Sequence, residues 1–318
     1  MIKGLAITPP VLGRISIGRV VEKNGIRLPQ KDNQFTITSQ IQEKGRWILH
    51  PLDEELRKDA PNSKLRTIPV RMLFNEADLN LRAEYTMFDR KSGRPMCVGN
   101  GDTCKRLTQS GVQSLPCPSP ALCEFGKGGL CKPYGRLNVK IGDDDDLGTF
   151  IFRTTGYNSI RTLAARLSYY QAVSGGLLAY MPLELKLRGK STTQSHRTPI
   201  YYVDLVIKDG VSLQQAVAQA REKSQQVKEE GVDQAALDAA AAKGFGNALL
   251  EYDEDEMTQV IEEFYPNGTV KNGMSPTLKG LAGDKKLPSS SSGSKPSSGT
   301  IRKGVSQKAT CYMKLQAN

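Results

Sequence analysis

Five of the six cysteines lie within a stretch of 35 residues, and this cluster constrains the fold more than any other feature of the sequence. They are Cys97, Cys104, Cys117, Cys123 and Cys131, and the residues between them are rich in glycine and proline. Turns of this kind let several thiolates converge on one ion, as tetrahedral zinc requires. We therefore expect a zinc-stabilised loop at residues 97–131.

The predicted zinc ligands are Cys97, Cys117, Cys123 and Cys131, since a closed site takes four. Three of them, Cys117, Cys123 and Cys131, lie in loop sequence next to proline or glycine and can converge easily. Cys97 follows a predicted strand, which would help to fix its position. Cys104 lies among polar and charged residues, so we expect it to be spare, although it could replace Cys97 as the fourth ligand.

The residue types favour a structural zinc over a catalytic one. A catalytic zinc usually has histidine or carboxylate ligands and a general base nearby, and neither His50 nor His196 is close to the cluster in sequence. An iron–sulfur cluster or a set of free thiols is the alternative.

The run from Asp143 to Asp146 is more typical of a solvated turn than of a cation site. The triplet from Gly99 to Gly101 fits a tight turn better than a phosphate-binding loop.

The net charge of +11 is divided unevenly along the chain. Residues 1–220 carry a net charge of +11, residues 221–263 of −8 and residues 264–318 of +8. A basic body favours a polyanionic partner, because lysine and arginine contacts to phosphates release counterions. Nucleic acid is therefore the expected partner, with ordinary solubility charge as the alternative.

The sequence also predicts where the protein is found. No apolar run approaches the 18 residues of a membrane span, and the first 20 residues lack the apolar core of a signal peptide. We therefore expect a cytoplasmic, reducing location without membrane association. Clustered cysteines in such a location favour a metal over disulfides.

Apolar periodicity predicts an α+β fold with a mainly antiparallel sheet. Period-two patterns indicate a strand at 12–20, a hairpin of strands 67–74 and 81–88, and strands at 135–141, 148–153, 183–188 and 200–207. A helix from residue 158 or 159 to about 173 carries Ile160, Leu163, Ala164 and Leu167 on one face. Residues 135–208 thus form a β-β-α-β-β unit with one packed helix.

The organisation changes near residue 211. We expect an α+β basic body at residues 1–211 and an acidic helical segment at 212–265, with helices at 213–227, 235–242 and 257–264. Residues 266–318, which include a serine-rich run, are predicted to be a disordered basic tail.

The β-β-α-β-β unit carries the candidate nucleic-acid-binding residues. Basic side chains there alternate with tyrosines, and this combination is typical of proteins that bind single strands by tracking the backbone and stacking on bases. A solvated strand face with core tyrosines is the alternative. The candidates are Arg153, Tyr157, Arg161, Lys186, Arg188, Lys190 and Arg197.

Four stretches of sequence resemble the recombination directionality factor-like proteins of phages, plasmids and integrative elements. They read CVGNG-x2-CKR, C-x5-C-x7-CK-x3-RL, F-x-FRTTGYNSIR and PLELKLR-x-K, and the resemblance covers roughly residues 1–210. It implies a zinc site in the cysteine loop. It also implies an accessory role in DNA recombination beside a serine integrase, without enzymatic activity.

Together these observations predict a non-enzymatic DNA-binding accessory in the recombination or replication of a mobile element, with a structural zinc. Its partners would be DNA and a site-specific recombinase or another recombination protein; self-association stays open. The alternatives are a single-stranded-DNA-binding or annealing protein, a metal-dependent hydrolase that uses the zinc or the Asp143 to Asp146 run, and a protein–protein adaptor.

Overall fold

A computed structural model describes residues 10–23, 26–43, 46–142, 148–191, 199–245 and 257–265. All of them belong to one compact unit. The described strands are β1 (Val11–Lys23), β2 (Ile26–Glu43), β3 (Arg46–Leu49), β4 (Thr67–Arg71), β5 (Leu81–Phe88), β6 (Pro95–Gly99), β7 (Thr103–Thr108), β8 (Gly111–Pro116), β9 (Cys131–Ile141), β10 (Thr149–Thr154), β11 (Leu183–Lys190) and β12 (Ile200–Ile207). The described helices are α1 (Pro51–Lys58), α2 (Ala77–Asn80), α3 (Ser119–Leu122), α4 (Tyr157–Ser174), α5 (Leu213–Glu229), α6 (Gln234–Phe245) and α7 (Met257–Phe264).

The strands form one large sheet in the order β3-β2-β1-β10-β9-β5-β6-β7-β8. A branch leaves this sheet where β9 pairs with β4, which pairs in turn with β11, and β11 with β12. The pairing of β1 with β10 is parallel, and the other described pairings are antiparallel. The predicted α+β fold with a mainly antiparallel sheet is therefore confirmed.

The predicted hairpin of strands 67–74 and 81–88 is wrong. Both segments contain strands, but each is antiparallel to β9: β4 pairs with residues 140–141 and β5 with residues 131–137. The two strands therefore follow one another in the same direction along β9 and cannot pair as a hairpin. The buried Asn80 folds the connection between them, because its side chain bonds the backbone of Leu73, Phe74 and Glu76.

Helix α4 packs against the sheet as its apolar stripe predicts. Its buried residues include Ile160, Leu163, Leu167 and Tyr170. The helix approaches β9 closely at Gly135, where a Cβ atom would lie 2.9 Å from Cγ1 of Ile160. With the flanking strands β9, β10, β11 and β12, this helix confirms the predicted β-β-α-β-β unit.

Three helices follow the body, close to the positions that the sequence predicts. In α5, Ala216 and Ala220 are fully buried in the main core. In α6, Ala241 is buried with Leu73, Phe74 and Leu79, and in α7 Phe264 is buried with Phe88 and Tyr134. None of the described helices is both long enough and apolar enough to cross a membrane. The Asp143 to Asp146 run and the predicted basic tail lie outside the described residues.

Candidate metal centre and nucleic-acid interface

Three of the five clustered cysteines lie on one face of the sheet. Met87 of β5 stands directly opposite Cys97 of β6 and Cys131 of β9, and Gly99 of β6 stands opposite Cys104 of β7. Directly opposed residues of neighbouring strands project to the same side, as do residues two apart on one strand. Cys97, Cys104 and Cys131 therefore share this face.

The loop between β8 and β9 brings in the other two cysteines. The backbone N–H of Cys117 donates to the carbonyl of Asp102 at 2.8 Å, which holds Cys117 beside the start of β7. A Cβ atom on Gly99 would lie 2.9 Å from Sγ of Cys117 and 2.6 Å from Cβ of Cys104. Sγ of Cys123 accepts a long hydrogen bond of 3.9 Å from the guanidinium of Arg106. All five thiols thus converge on one region, and all are free of disulfides.

Burial shapes the chemistry of this thiol cluster. It is the main cause that raises the pKa of Cys97 to about 11 and that of Cys131 to about 12, and neighbouring thiols contribute to the shift at Cys131. Arg106 lies opposite Cys97, and its guanidinium covers the ring of Phe125 at 4.3 Å. Both thiols, Cys97 and Cys131, are therefore neutral at pH 7 unless a cation replaces their protons.

The cluster has the donor chemistry of a soft-metal site. As the side chains stand, however, no group of three or more Cys, His, Asp or Glu in the described part of the chain is placed to hold a metal ion. Cys104, expected to be spare, is the most buried of the five at 4% exposure. The ligand set of Cys97, Cys117, Cys123 and Cys131 therefore stays a prediction.

Four of the predicted nucleic-acid residues lie near the first turn of α4. Tyr157 begins the helix with 59% of its surface exposed, and Arg161 is exposed one turn later. The ammonium of Lys190 donates to the side chain of Asn158 at 2.9 Å, which joins the end of β11 to this turn. Arg188, two residues before Lys190, is also exposed. We call Tyr157, Arg161, Arg188 and Lys190 the α4 patch.

A buried carboxylate offsets part of the charge near this patch. Asp204 is 5% exposed and pairs with Nε of Arg166 at 3.1 Å and with Nε of Arg188 at 3.3 Å. Lys186 is half-buried on β11, directly opposite Asp204. Arg197 lies outside the described residues.

Arg153 belongs to a different surface. It stands directly opposite Arg136 of β9, which in turn stands opposite Arg82 of β5. Gly135 and Thr154, the neighbours of Arg136 and Arg153, face α4, so the three arginines project from the other side of the sheet. We call Arg82, Arg136 and Arg153 the basic row.

One described carboxylate lies within the basic row. Glu84 approaches Nε of Arg82 at 3.7 Å and a terminal nitrogen of Arg136 at 3.6 Å. Both distances exceed those of a charge-assisted hydrogen bond. The register thus places three guanidinium groups on adjacent strands of the sheet. Sequence reasoning missed Arg82 and Arg136, because only the register of three strands places them beside Arg153.

The fold and site define an α+β protein in which a thiol cluster and a basic row lie on the same central strands, β5 and β9. A profile of the Gp3-like, recombination directionality factor-like family matches residues 12–208. The chain belongs to this family, as its sequence motifs predict. No curated protein and no solved structure matches the chain. The matched region contains the cysteine cluster, the basic row and the α4 patch, and it ends before α5.

Proposed function

We propose that the protein is a non-enzymatic, DNA-binding accessory of recombination in a mobile element, with a structural zinc. Membership of the recombination directionality factor-like family supports the recombination role. A site-specific recombinase is the protein partner that this role implies. A reducing, cytoplasmic location is part of the proposal, since thiolates can remain bound to a metal there.

The basic row is the observation that carries DNA binding. Arg82, Arg136 and Arg153 stand on adjacent strands, which lie about 4.8 Å apart. Arginine offers a planar fork of donors that matches phosphate oxygens. The α4 patch, with Lys186, forms the second surface of the proposed interface, and Arg197 stays a candidate from the sequence alone.

Salt dependence of DNA binding tests this interface. We expect Arg136→Gln and Arg153→Gln each to weaken binding and to lower the slope of log K against log salt by about 1, because each removes one phosphate contact. Lys58→Gln is the matched control, since Lys58 is an exposed cation on α1, far from the row in sequence. No DNA binding by the wild type at low salt would reject the proposal.

A single-stranded ligand is the second candidate, and the exposed Tyr157 favours it. A tyrosine with 59% of its surface exposed beside Arg161 offers a stacking surface for an unpaired base. Replacing Tyr157 with alanine should then weaken single-strand binding by roughly 1–3 kcal/mol and leave duplex binding unchanged. Equal losses for both ligands would reject stacking at this position.

The zinc proposal rests on the convergence of five thiols from three strands and one loop. A tetrahedral ion held by Cys97, Cys117, Cys123 and Cys131 would tie β6, β9 and the loop after β8 together. We expect purified protein to contain about one equivalent of zinc. Serine at any of the four positions should lower this content, whereas Cys104→Ser and Cys311→Ser should retain it; Cys311 is the cysteine outside the cluster.

Two outcomes of the metal analysis would contradict this ligand set. Less than about half an equivalent of zinc in the wild type would reject the metal itself. Zinc loss in Cys104→Ser together with zinc retention in Cys97→Ser would show that Cys104, and not Cys97, is the fourth ligand. Either result leaves the test of the basic row unaffected.

A further inference from the structure

A short C-terminal segment docks into an aromatic groove on the sheet. The segment comprises residues 257–265, and we call it the docked segment. Phe264 is fully buried, with its ring edge-on to Phe88 at 5.0 Å and to Tyr134 at 6.0 Å. Met257, at the other end, packs against the turn at Gly93, where a Cβ atom would lie 2.8 Å from Cβ of Met257. The segment is thus anchored at both ends.

Polar contacts fix the direction of the docked segment. The hydroxyl of Tyr265 donates to the carbonyl oxygens of Phe88 at 3.0 Å and Leu130 at 3.2 Å. The ammonium of Lys132 donates to the carbonyl oxygen of Phe264 at 2.6 Å. Two of these contacts, at Leu130 and Lys132, flank Cys131, so the segment also secures the end of the cysteine loop.

The groove is cationic and its occupant is acidic. The guanidinium of Arg90 covers the ring of Tyr265 at 4.6 Å, and the ammonium of Lys132 lies 5.1 Å from the rings of Phe264 and Tyr265. The docked segment carries Glu262 and Glu263 and no basic residue, and the sequence directly before it, EYDEDE at residues 251–256, carries five more acidic residues. Cations over aromatic rings and charge complementarity both favour this pairing.

The groove and the docked segment come from different regions of the sequence. Phe88, Arg90, Lys132 and Tyr134 lie inside the matched region, residues 12–208, whereas the docked segment lies beyond it. The groove therefore belongs to the region that the family profile matches, and a segment outside that region covers it. A segment that packs over a surface can detach from it by local unfolding while the body stays folded.

We propose that this groove is a protein-docking site for an acidic helical segment that ends in two adjacent aromatic residues. The docked segment is the resident copy of that ligand and holds the site closed. A partner protein with such a segment displaces it. The groove lies next to the basic row, since the guanidinium of Arg136 is 5.6 Å from the ring of Tyr134. Displacement of the docked segment from the groove therefore changes the surroundings of the proposed DNA surface.

A synthetic peptide of residues 251–266 tests the proposal with the full-length protein. We expect the double variant Phe264→Ala/Tyr265→Ala to bind the peptide roughly tenfold more tightly than the wild type, because a closed site lowers apparent affinity by its open fraction. The control peptide carries alanine in place of both aromatic residues and should bind neither protein. Equal binding of the parent peptide to wild type and variant, or no binding to a folded variant, would overturn the proposal.

A milder variant covers the case in which the double variant fails to fold. Tyr265→Phe removes only the two hydroxyl hydrogen bonds and should raise peptide affinity by a smaller factor than the double variant. An unchanged affinity in this folded variant would count against the proposal. These peptide measurements need no DNA, so their failure is distinguishable from failure of the DNA proposal.

The oligomeric state distinguishes a partner protein from a second copy of this chain. Light scattering over a range of concentrations should show the wild type as a monomer, with the segment bound within its own chain. A wild-type dimer that the double variant converts to a monomer would show exchange of the segment between copies. That outcome would overturn the partner proposal in favour of self-association.

Discussion

At the residue scale, two glycines allow the thiols to approach one another. A Cβ atom on Gly99 would lie within 3.0 Å of atoms of Cys104, Thr103 and Cys117, and one on Gly126 would lie 2.5 Å from Cβ of Cys131. The sequence suggests a tight turn at Gly99, yet the residue ends strand β6 and is required for close packing. Local sequence cannot reveal this requirement, because the colliding atoms come from other segments.

Replacing Gly99 with alanine should destabilise the protein by about 1–3 kcal/mol, since the added methyl group overfills a packed site. Gly189→Ala is the control, because its nearest contact is a tyrosine ring at 3.3 Å, which can shift. Chemical denaturation measures both variants. A loss for Gly99→Ala no larger than that of the control would contradict the steric role of this glycine.

At the element scale, the sequence predicts most strands and helices but not how the strands pair. Helix α4 has a clear apolar stripe and is followed directly by Gly175, whose φ of 69° suits glycine. The two strands β4 and β5 are also predicted, yet their pairing with β9 is missed, because β9 comes much later in the chain. The basic row is missed for the same reason, because its three arginines become neighbours only through the register of the strands. For the cysteines, sequence spacing predicts convergence and leaves the ligand set open.

The connection between β4 and β5 depends on Asn80, which is fully buried and makes four hydrogen bonds to backbone groups. Asn80→Ala should destabilise the protein by about 2–4 kcal/mol, because buried N–H and carbonyl groups lose their partners. Asn158→Ala removes one hydrogen bond, to Lys190, and should cost less than about 1 kcal/mol. Similar free energies of unfolding for the two variants would contradict this role of Asn80.

At the scale of the whole molecule, the acidic helical segment packs on the basic body. The sequence places a boundary near residue 211, where composition and charge change. Yet Ala216 and Ala220 of α5 are fully buried in the same core as Leu163 and Leu205. The composition shows that the surface chemistry changes near this boundary. It does not show which small residues of the helices are buried against the body. The buried alanines therefore predict that helix α5 and the body unfold together.

Leucine substitutions in α5 test this cooperativity. Ala220 is fully buried and Ala218, two residues earlier, is exposed, so the two positions form a matched pair. Ala220→Leu should overfill the core and destabilise the protein by about 1–3 kcal/mol, which lowers Tm by roughly 2–10 °C in a chain of this size. Ala218→Leu should leave Tm within about 1 °C, because it changes an exposed position.

Fluorescence of Trp47 in β3 reports on the body and circular dichroism on the helices. Coincident transitions that shift together in Ala220→Leu are expected for a single cooperative unit. A shift confined to the helical signal, with Trp47 unchanged, would instead make the helical segment an independent domain.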